Sequence, residues 1–473
     1  MHDHPTAGPA TAPQDASGGR PTPPTRPIGS TRLARPFGPE AGWRAHALQD
    51  AVWLLDRWSE RTAAGQAPAS GSDHPSDPGV PVLAHLLAGT TEVPSATAVA
   101  TRATALWARG AGRGMSHPGL YDGGLAGTLV GLRQAATLHP ALHPVADRLA
   151  GQLLERASTE AARATRGAVT FRDYDLILGP AGTLLAMSVA APGRPDHPDG
   201  AGPHHSQALA RLGRCLAALC ATAELDGLRT HYPGHPQLGW LHGRINTGMG
   251  HGAAGVLVAL TVAVRQAGRA DRSGADGPGV APSGAPEDLP ELVAALRRVR
   301  RWLRRQAFVD ARGVRSWDGA GLGAAPPDGA RRRQAWCYGN PGVAWALWDA
   351  ADACDDHDDR EFAAAAFASL VAGYDEEFHL FGDHLGDRLG LCHGAAGVLA
   401  VADALHRHAQ LPSATALRAR LLEHLDRRRS QTRALGEERT ALLSGACGTL
   451  SAVLTTTATG TGGRGWLPCL GLR

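Results

Sequence analysis

The stretch RRRQAWCYGNPGVAWAL, beginning at Arg331, sets Cys337 between a basic run and a Gly-x-x-Gly turn. Further along, LGLCHGAAGVLAVADAL sets Cys392 at the same place in the same outline, with His393 directly after it. Two thiolates and one imidazole make a soft donor set that suits zinc, which takes sulfur and nitrogen ligands in a tetrahedron. No fourth protein ligand is evident, and three ligands with one open position is the pattern of a catalytic metal. The competing reading makes both cysteines small core residues in crowded Gly/Ala turns, since free Cys is often buried. Spacing alone leaves the two readings level. Cys215, Cys220, Cys354, Cys447 and Cys469 read as core or incidental residues.

Four other residues could do chemistry beside such a site. His251, in GMGHGAAG, stands where His393 stands in its own turn but has no cysteine before it, so it reads as an acid/base group or as a histidine bonded to backbone. Asp175, in FRDYDLILGPAG, could orient a catalytic group or cap the helix that follows, and capping is the simpler reading. Arg333 and Tyr338 flank Cys337; a solvated Arg and a packed Tyr are their ordinary roles.

These residues must be positioned by repetition. Six segments share a Gly-x-x-Gly turn followed by a small-residue apolar helix: DGGLAGTLVGL from Asp122, ILGPAGTLLAM from Ile177, GHGAAGVLVAL from Gly250, CYGNPGVAWAL from Cys337, CHGAAGVLAVA from Cys392 and LSGACGTLSAV from Leu443. Their spacing allows one inner and one outer helix per repeat, which could stack as an open solenoid or close into a ring. Two places before the first Gly of each turn stand Asp122, Ile177, Gly250, Cys337, Cys392 and Leu443; one place before it stand Gly123, Leu178, His251, Tyr338, His393 and Ser444. In a closed ring these residues would face one another at helix N-termini, where thiolates and enolates are favoured.

The rest of the chain reads as all-α. Apolar periodicity predicts a helix through residues 46–58, and no alternating strand pattern is evident. Residues 1–37, rich in Pro, Thr and Gly, are expected to be disordered, with the folded domain covering 38–473. Loop-like insertions are expected near 64–80, 191–206, 266–290 and 319–332. Among 473 residues, 43% are hydrophobic, 19% are charged and the net charge is +3, which argues against nucleic-acid or anionic-membrane binding. All 47 Lys+Arg residues are Arg. No secretory signal and no transmembrane run is evident, so a reducing cytoplasm is expected.

The segments DLILGPAG (175–182), GMGHGAAG (248–255), WCYGNPG (336–342) and LCHGAAG (391–397), with GLYDGGLAG (119–127) and LLSGACG (442–448), resemble the lanthionine synthetase C-like family from about residue 40 onward. The resemblance implies an α/α toroid, a double ring with seven inner helices, so that a seventh turn here must be degenerate. It implies one zinc per chain on Cys337, Cys392 and His393, with His251 and Asp175 as acid/base residues and Arg333 and Tyr338 in the pocket. The implied reaction adds a Cys thiolate of a dehydrated, leader-bearing precursor peptide to dehydroalanine or dehydrobutyrine, making a lanthionine or methyllanthionine ring. In that scheme Arg333 stabilises the enolate and His251 returns the proton. A stand-alone cyclase fits the length, with a separate dehydratase and a transporter complex as its expected partners. Three rivals remain: addition of glutathione or another thiol, a toroid glycosidase using Asp122 and Asp175, and a scaffold with structural zinc.

Overall fold

The computed structural model describes residues 39–66, 73–112, 117–164, 168–189, 203–275, 288–321, 333–460 and 463–473. The 1–37 extension and most of the 191–206 and 319–332 insertions lie outside the described residues. The described residues from Pro39 onward form one compact unit.

Seven largely apolar helices line the centre: α2 (Gly79–Ala88), α4 (Leu125–Ala135), α6 (Pro180–Ser188), α8 (Ala253–Ala275), α10 (Asn340–Asp352), α14 (Ala395–Ala409) and α17 (Ala446–Thr456). Each touches the next in that order, and α17 returns to α2, so the ring is closed. Every described residue of α17 is buried, as expected of a helix surrounded by other helices.

A second layer covers them. Helices α3 (Ala96–Gly110), α5 (His143–Ala164), α7 (Pro203–Leu219), α9 (Leu289–Arg305), α11 (His357–Gly373) and α15 (Pro412–Arg427) each pack on the inner helix before them in the chain, whereas α1 (Pro39–Ala63) packs on α17, the last inner helix. These are amphipathic: α9 buries Leu292, Ala295, Leu296, Val299 and Leu303 at helical spacing and turns Arg297, Arg301, Arg304 and Arg305 outward, while Arg300 is buried against Asp356 and Asp359. Short helices α12 (Glu376–His379), α13 (Leu385–Leu389) and α16 (Arg429–Glu438) lie in the connections, as does a two-stranded hairpin of β1 (Phe308–Val309) and β2 (Arg315–Ser316). The architecture is the expected α/α toroid. The 266–290 insertion is shorter than its composition suggests, because α8 continues to Ala275.

At one end of the ring the turns are tied together by backbone hydrogen bonds. The N–H groups of Leu120 and Tyr121 donate to Ile177 O, Leu176 N to Gly250 O, Met249 N to Cys337 O, Cys337 N to Cys392 O and Cys392 N to Leu443 O, all within 2.9–3.3 Å. The second glycine of each turn is required by the turn's own backbone, which folds back on it. A Cβ on Gly448 would lie 1.7 Å from Leu442 O and one on Gly342 2.0 Å from Trp336 O, so neither position can carry a side chain.

The seventh turn lies ahead of α2 and carries no Gly-x-x-Gly: the N-cap of α2 is Pro78, where α4, α6, α10, α14 and α17 have their first glycine, which hid the repeat in the sequence. Gly79, the first residue of α2, lies against the turn that precedes α17: a Cβ there would meet Thr440 O at 2.6 Å and Leu442 N at 2.8 Å. The ladder finishes on a side chain here, since Leu442 N donates to Asp77 Oδ1 at 2.7 Å and Gly79 N donates to the same oxygen at 2.8 Å. The neighbouring Asp73 carboxylate accepts from both the backbone and the hydroxyl of Thr440.

The segment 463–473 lies in the bore. Tyr121 Oη donates to Cys469 O, Trp336 Nε1 to Leu470 O and Trp345 Nε1 to Gly471 O, at 2.9, 2.8 and 2.7 Å. Trp466, Leu467, Cys469 and Leu470 are buried there, against side chains from opposite sides of the ring.

Part of Asp77 reaches the surface, yet its carboxyl is enclosed, and burial pushes its pKa up to about 7 against the two N–H donors. The folded value stands above the unfolded one, so the stability this group contributes is complete below about pH 4 and is lost as pH rises through about 7. Asp77→Asn keeps the accepting oxygen without the charge. Calorimetry should find that it melts above wild type at pH 8, by less at pH 5, and loses that advantage below about pH 4. Asp77→Ala should melt lower at both, by about 1–3 kcal/mol, because two seam N–H groups are left unpaired.

Candidate active site

Cys337 and Cys392 are consecutive rungs of the ladder, and each uses both its N–H and its C=O in it. With backbone freedom removed, their side chains leave neighbouring rungs together. Cys337, Cys392 and His393 offer ligand atoms that all lie within 4.8 Å of one another, a group able to hold a metal ion. Cys337 is 2% exposed, while Cys392 and His393 are half-buried and open onto a cavity. Gly339, at φ 84°, bends the chain between Cys337 and α10 in a conformation that favours glycine. Cys220, Cys447 and Cys469 are buried elsewhere, Cys215 and Cys354 are half-buried, and none is in a disulfide.

The two thiols respond oppositely to their surroundings. The hydrogen bond with Cys337, aided by His393, holds Cys392 well below the usual thiol range, whereas burial pushes Cys337 up. Such a pair favours thiolate at Cys392, the form that ligates. His393 is aimed by Asp387: its Nδ1 lies 3.0 Å from Asp387 Oδ1, which leaves Nε2 for a ligating role. A carboxylate behind a ligating histidine fixes its tautomer and raises its basicity. Asp387 precedes His393 by six residues across α13, and no periodicity in the sequence marks it.

The second histidine is also held by a carboxylate. His251 Nδ1 lies 2.5 Å from Asp175 Oδ2, and Oδ1 of the same carboxyl accepts the N–H groups of Leu178 (2.6 Å) and Gly179 (2.9 Å). Asp175 does not stand at the N-cap of α6, which is Gly179; one of its oxygens holds the turn ahead of that helix and the other orients His251. The His251 ring stacks on Phe171 at 4.6 Å. Burial works to lower His251, but the bond and charge of Asp175 override it and raise its pKa; burial raises Asp175 against that same bond. Both shifts mean that the pair retains a proton above the ordinary histidine value.

Tyr338 lines the cavity and accepts Asn246 Nδ2–H at 3.0 Å, which leaves its own hydroxyl hydrogen to donate. Burial raises its pKa, so it stays a phenol. Arg333 is placed differently from the pocket residue expected of it. Its guanidinium lies over Phe381 at 4.5 Å and donates to Asp387 O at 3.4 Å, behind His393, and it is not part of the cavity lining. Its charge still favours the thiolate of Cys337, secondary to burial. Asp122 is exposed, on a turn apart from fully buried Asp175, so the two do not form the paired carboxylates a glycosidase requires.

The cavity, of about 600 Å³, joins the sulfur corner and His251 to an apolar side made by Phe171, Tyr232, Leu238, Trp240 and Leu241. The aromatic wall carried by residues 230–244 went unread in the sequence because it belongs to no repeat. Among the described residues no helix is long and apolar enough to cross a membrane.

The family model "Lanthionine synthetase C-like protein" matches residues 95–461. Among solved structures, a nisin cyclase matches with a TM-score of 0.67 at 16% identity, covering 89% of this chain and 96% of that one. No curated protein sequence matches.

The Asp387–His393 bond has a measurable consequence. In chelator competition with zinc, Asp387→Asn is expected to bind metal about 10–100-fold more weakly than wild type. Cys337→Ala, Cys392→Ala and His393→Ala should retain none by elemental mass spectrometry, and Cys354→Ala should match wild type. Equal affinity of Asp387→Asn and wild type would remove Asp387 from the site.

Proposed function

Because the chain belongs to the lanthionine synthetase C-like family, we propose that it is a zinc-dependent lanthipeptide cyclase, joining cysteines of a dehydrated precursor peptide to dehydroalanine or dehydrobutyrine. The observation that carries this reading is the convergence of Cys337, Cys392 and His393 at the floor of a cavity that also holds the His251–Asp175 pair. The donor set fits zinc: two soft sulfurs, and one imidazole already aimed by a carboxylate. Among the described residues the group has three members, which supports a catalytic site over a closed structural one of four.

Zinc held there would supply Lewis acidity, lowering the pKa of a substrate thiol so that thiolate exists at neutral pH. The chain's own residues do the rest. The substrate sulfur forms a bond to the β-carbon, and the displaced π electrons move onto the neighbouring carbonyl oxygen as an enolate. Tyr338, whose hydroxyl hydrogen is available, donates to that oxygen. His251 delivers a proton to the α-carbon, and Asp175 stabilises and orients the imidazolium beforehand. One proton leaves the thiol and one arrives at carbon, so the reaction balances without a redox partner. Arg333, from behind His393, acts on the charge of the thiolate corner and not on the enolate. The precursor peptide is the substrate, and a separate dehydratase must act first; a transporter complex and a cytoplasmic setting accord with this reading.

His251→Ala should keep its zinc, because His251 is outside the ligand group, while its cyclisation rate falls about 10²–10⁴-fold. Mass spectrometry of a dehydrated peptide after thiol alkylation measures the rate, because cyclised cysteines resist alkylation. Undiminished turnover by His251→Ala would remove it from the mechanism, and failure of wild-type, zinc-loaded protein to protect any cysteine would remove the cyclase.

A further inference from the structure

Residues 230–244, between α7 and α8, form a flap that is organised before anything binds. Thr230 N donates to Arg244 O at 2.9 Å and Gly243 N to Thr230 O at 2.8 Å, closing its base. Inside it, His235 Nδ1 accepts the N–H groups of Gln237 and Leu238, and His242 Nδ1 accepts that of Tyr232. The flap is fastened to the segment that carries the acid/base pair: His231 N donates to Val169 O at 2.7 Å, and Phe171 N donates to Tyr232 Oη at 2.9 Å. Phe171 in turn stacks on His251. This is a fixed wall with its edge against the proton donor.

What the wall presents is apolar. Trp240 is 53% exposed, an expensive position for an indole, and with Leu238, Leu241 and Tyr232 it lines the cavity that reaches Cys337, Cys392 and His393. Gly319 sits between Trp240 and Tyr338: a Cβ there would lie 3.3 Å from the indole and 3.7 Å from the phenol ring. The indole therefore closes on the same space as the enolate donor. Besides the phenols of Tyr232 and Tyr338, the charged or titratable groups of the lining outside the sulfur corner are Arg172, His235 and His251, with no carboxylate among them, so a cationic residue finds no anionic partner in that lining.

We infer that the wall of Tyr232, Leu238 and Trp240 is a specificity subsite for an apolar side chain adjacent to the dehydrated residue of the peptide. This rests on the cyclase reading. The carbon that receives the proton must approach His251, and His251 adjoins the wall through Phe171; the next residue of the peptide then lies against Tyr232, Leu238 and Trp240. Covering such a surface with a leucine-sized side chain is enough to improve binding about tenfold, and because the wall is fixed in advance little of that gain is lost to ordering.

The test uses two synthetic heptapeptides, each with one cysteine and with serine at the dehydrated position. Leucine flanks the serine in one, glycine in the other. Both are titrated into the full chain loaded with cobalt(II), whose sulfur charge-transfer band reports the peptide thiol. The leucine peptide should bind about tenfold tighter to wild type, and Trp240→Ala and Leu238→Ser should each bring the ratio of the two affinities toward one. Equal affinities for wild type, or a ratio unchanged in both variants, would overturn the subsite and leave the cyclase standing. A band that neither peptide perturbs would overturn the cyclase reading and the subsite with it.

Discussion

The hydrogen bonds between successive turns are the constraint on which the rest of this molecule depends. A helix N-terminus leaves backbone donors to be satisfied, and here the approach to each inner helix meets its neighbour's approach instead of water. The glycines permit that contact, the contact fixes the register, and the register brings Cys337 beside Cys392. Ligand geometry is thus a property of the ring before it is a property of the ligands. The ladder ends at Asp77, where a side-chain oxygen takes the place of a carbonyl and one ionisable group ties the turn ahead of α2 to Leu442.

Around that frame one motif is used twice. His251 and His393 occupy equivalent positions in their turns, and each meets a carboxylate at Nδ1, Asp175 for one and Asp387 for the other. Their surroundings separate them. His393 has two sulfurs as neighbours and belongs to a group able to hold a metal ion, whereas His251 stacks on the face of Phe171, where the proposed function gives it a proton to deliver. Repetition with local divergence is enough to produce a division of labour.

The features legible in the sequence were those imposed by short-range rules. Gly-x-x-Gly recurs because no other residue fits, so six of seven turns could be read directly, and the aligned positions before them yielded Cys337, Cys392, His393 and His251. The seventh escaped because Pro78 stands at the N-cap of α2, where α4, α6, α10, α14 and α17 have a glycine. Asp387, the aromatic wall and the seat of Arg333 over Phe381 are set by packing between segments that no period relates. Asp175 could be found but not fully assigned, because its two oxygens do two jobs.

The segment 463–473 also decides how the toroid can handle a polymer. With Cys469, Leu470 and Gly471 bonded to residues around the bore, the ring has no through-passage. On the proposed cyclase reading, a long peptide cannot be threaded as a strand is through a clamp; it must approach, react and depart on one face. Successive rings on one precursor then require the chain to lift off and settle again in a new alignment, and the order in which rings form becomes a contest among encounters, with no track to enforce it.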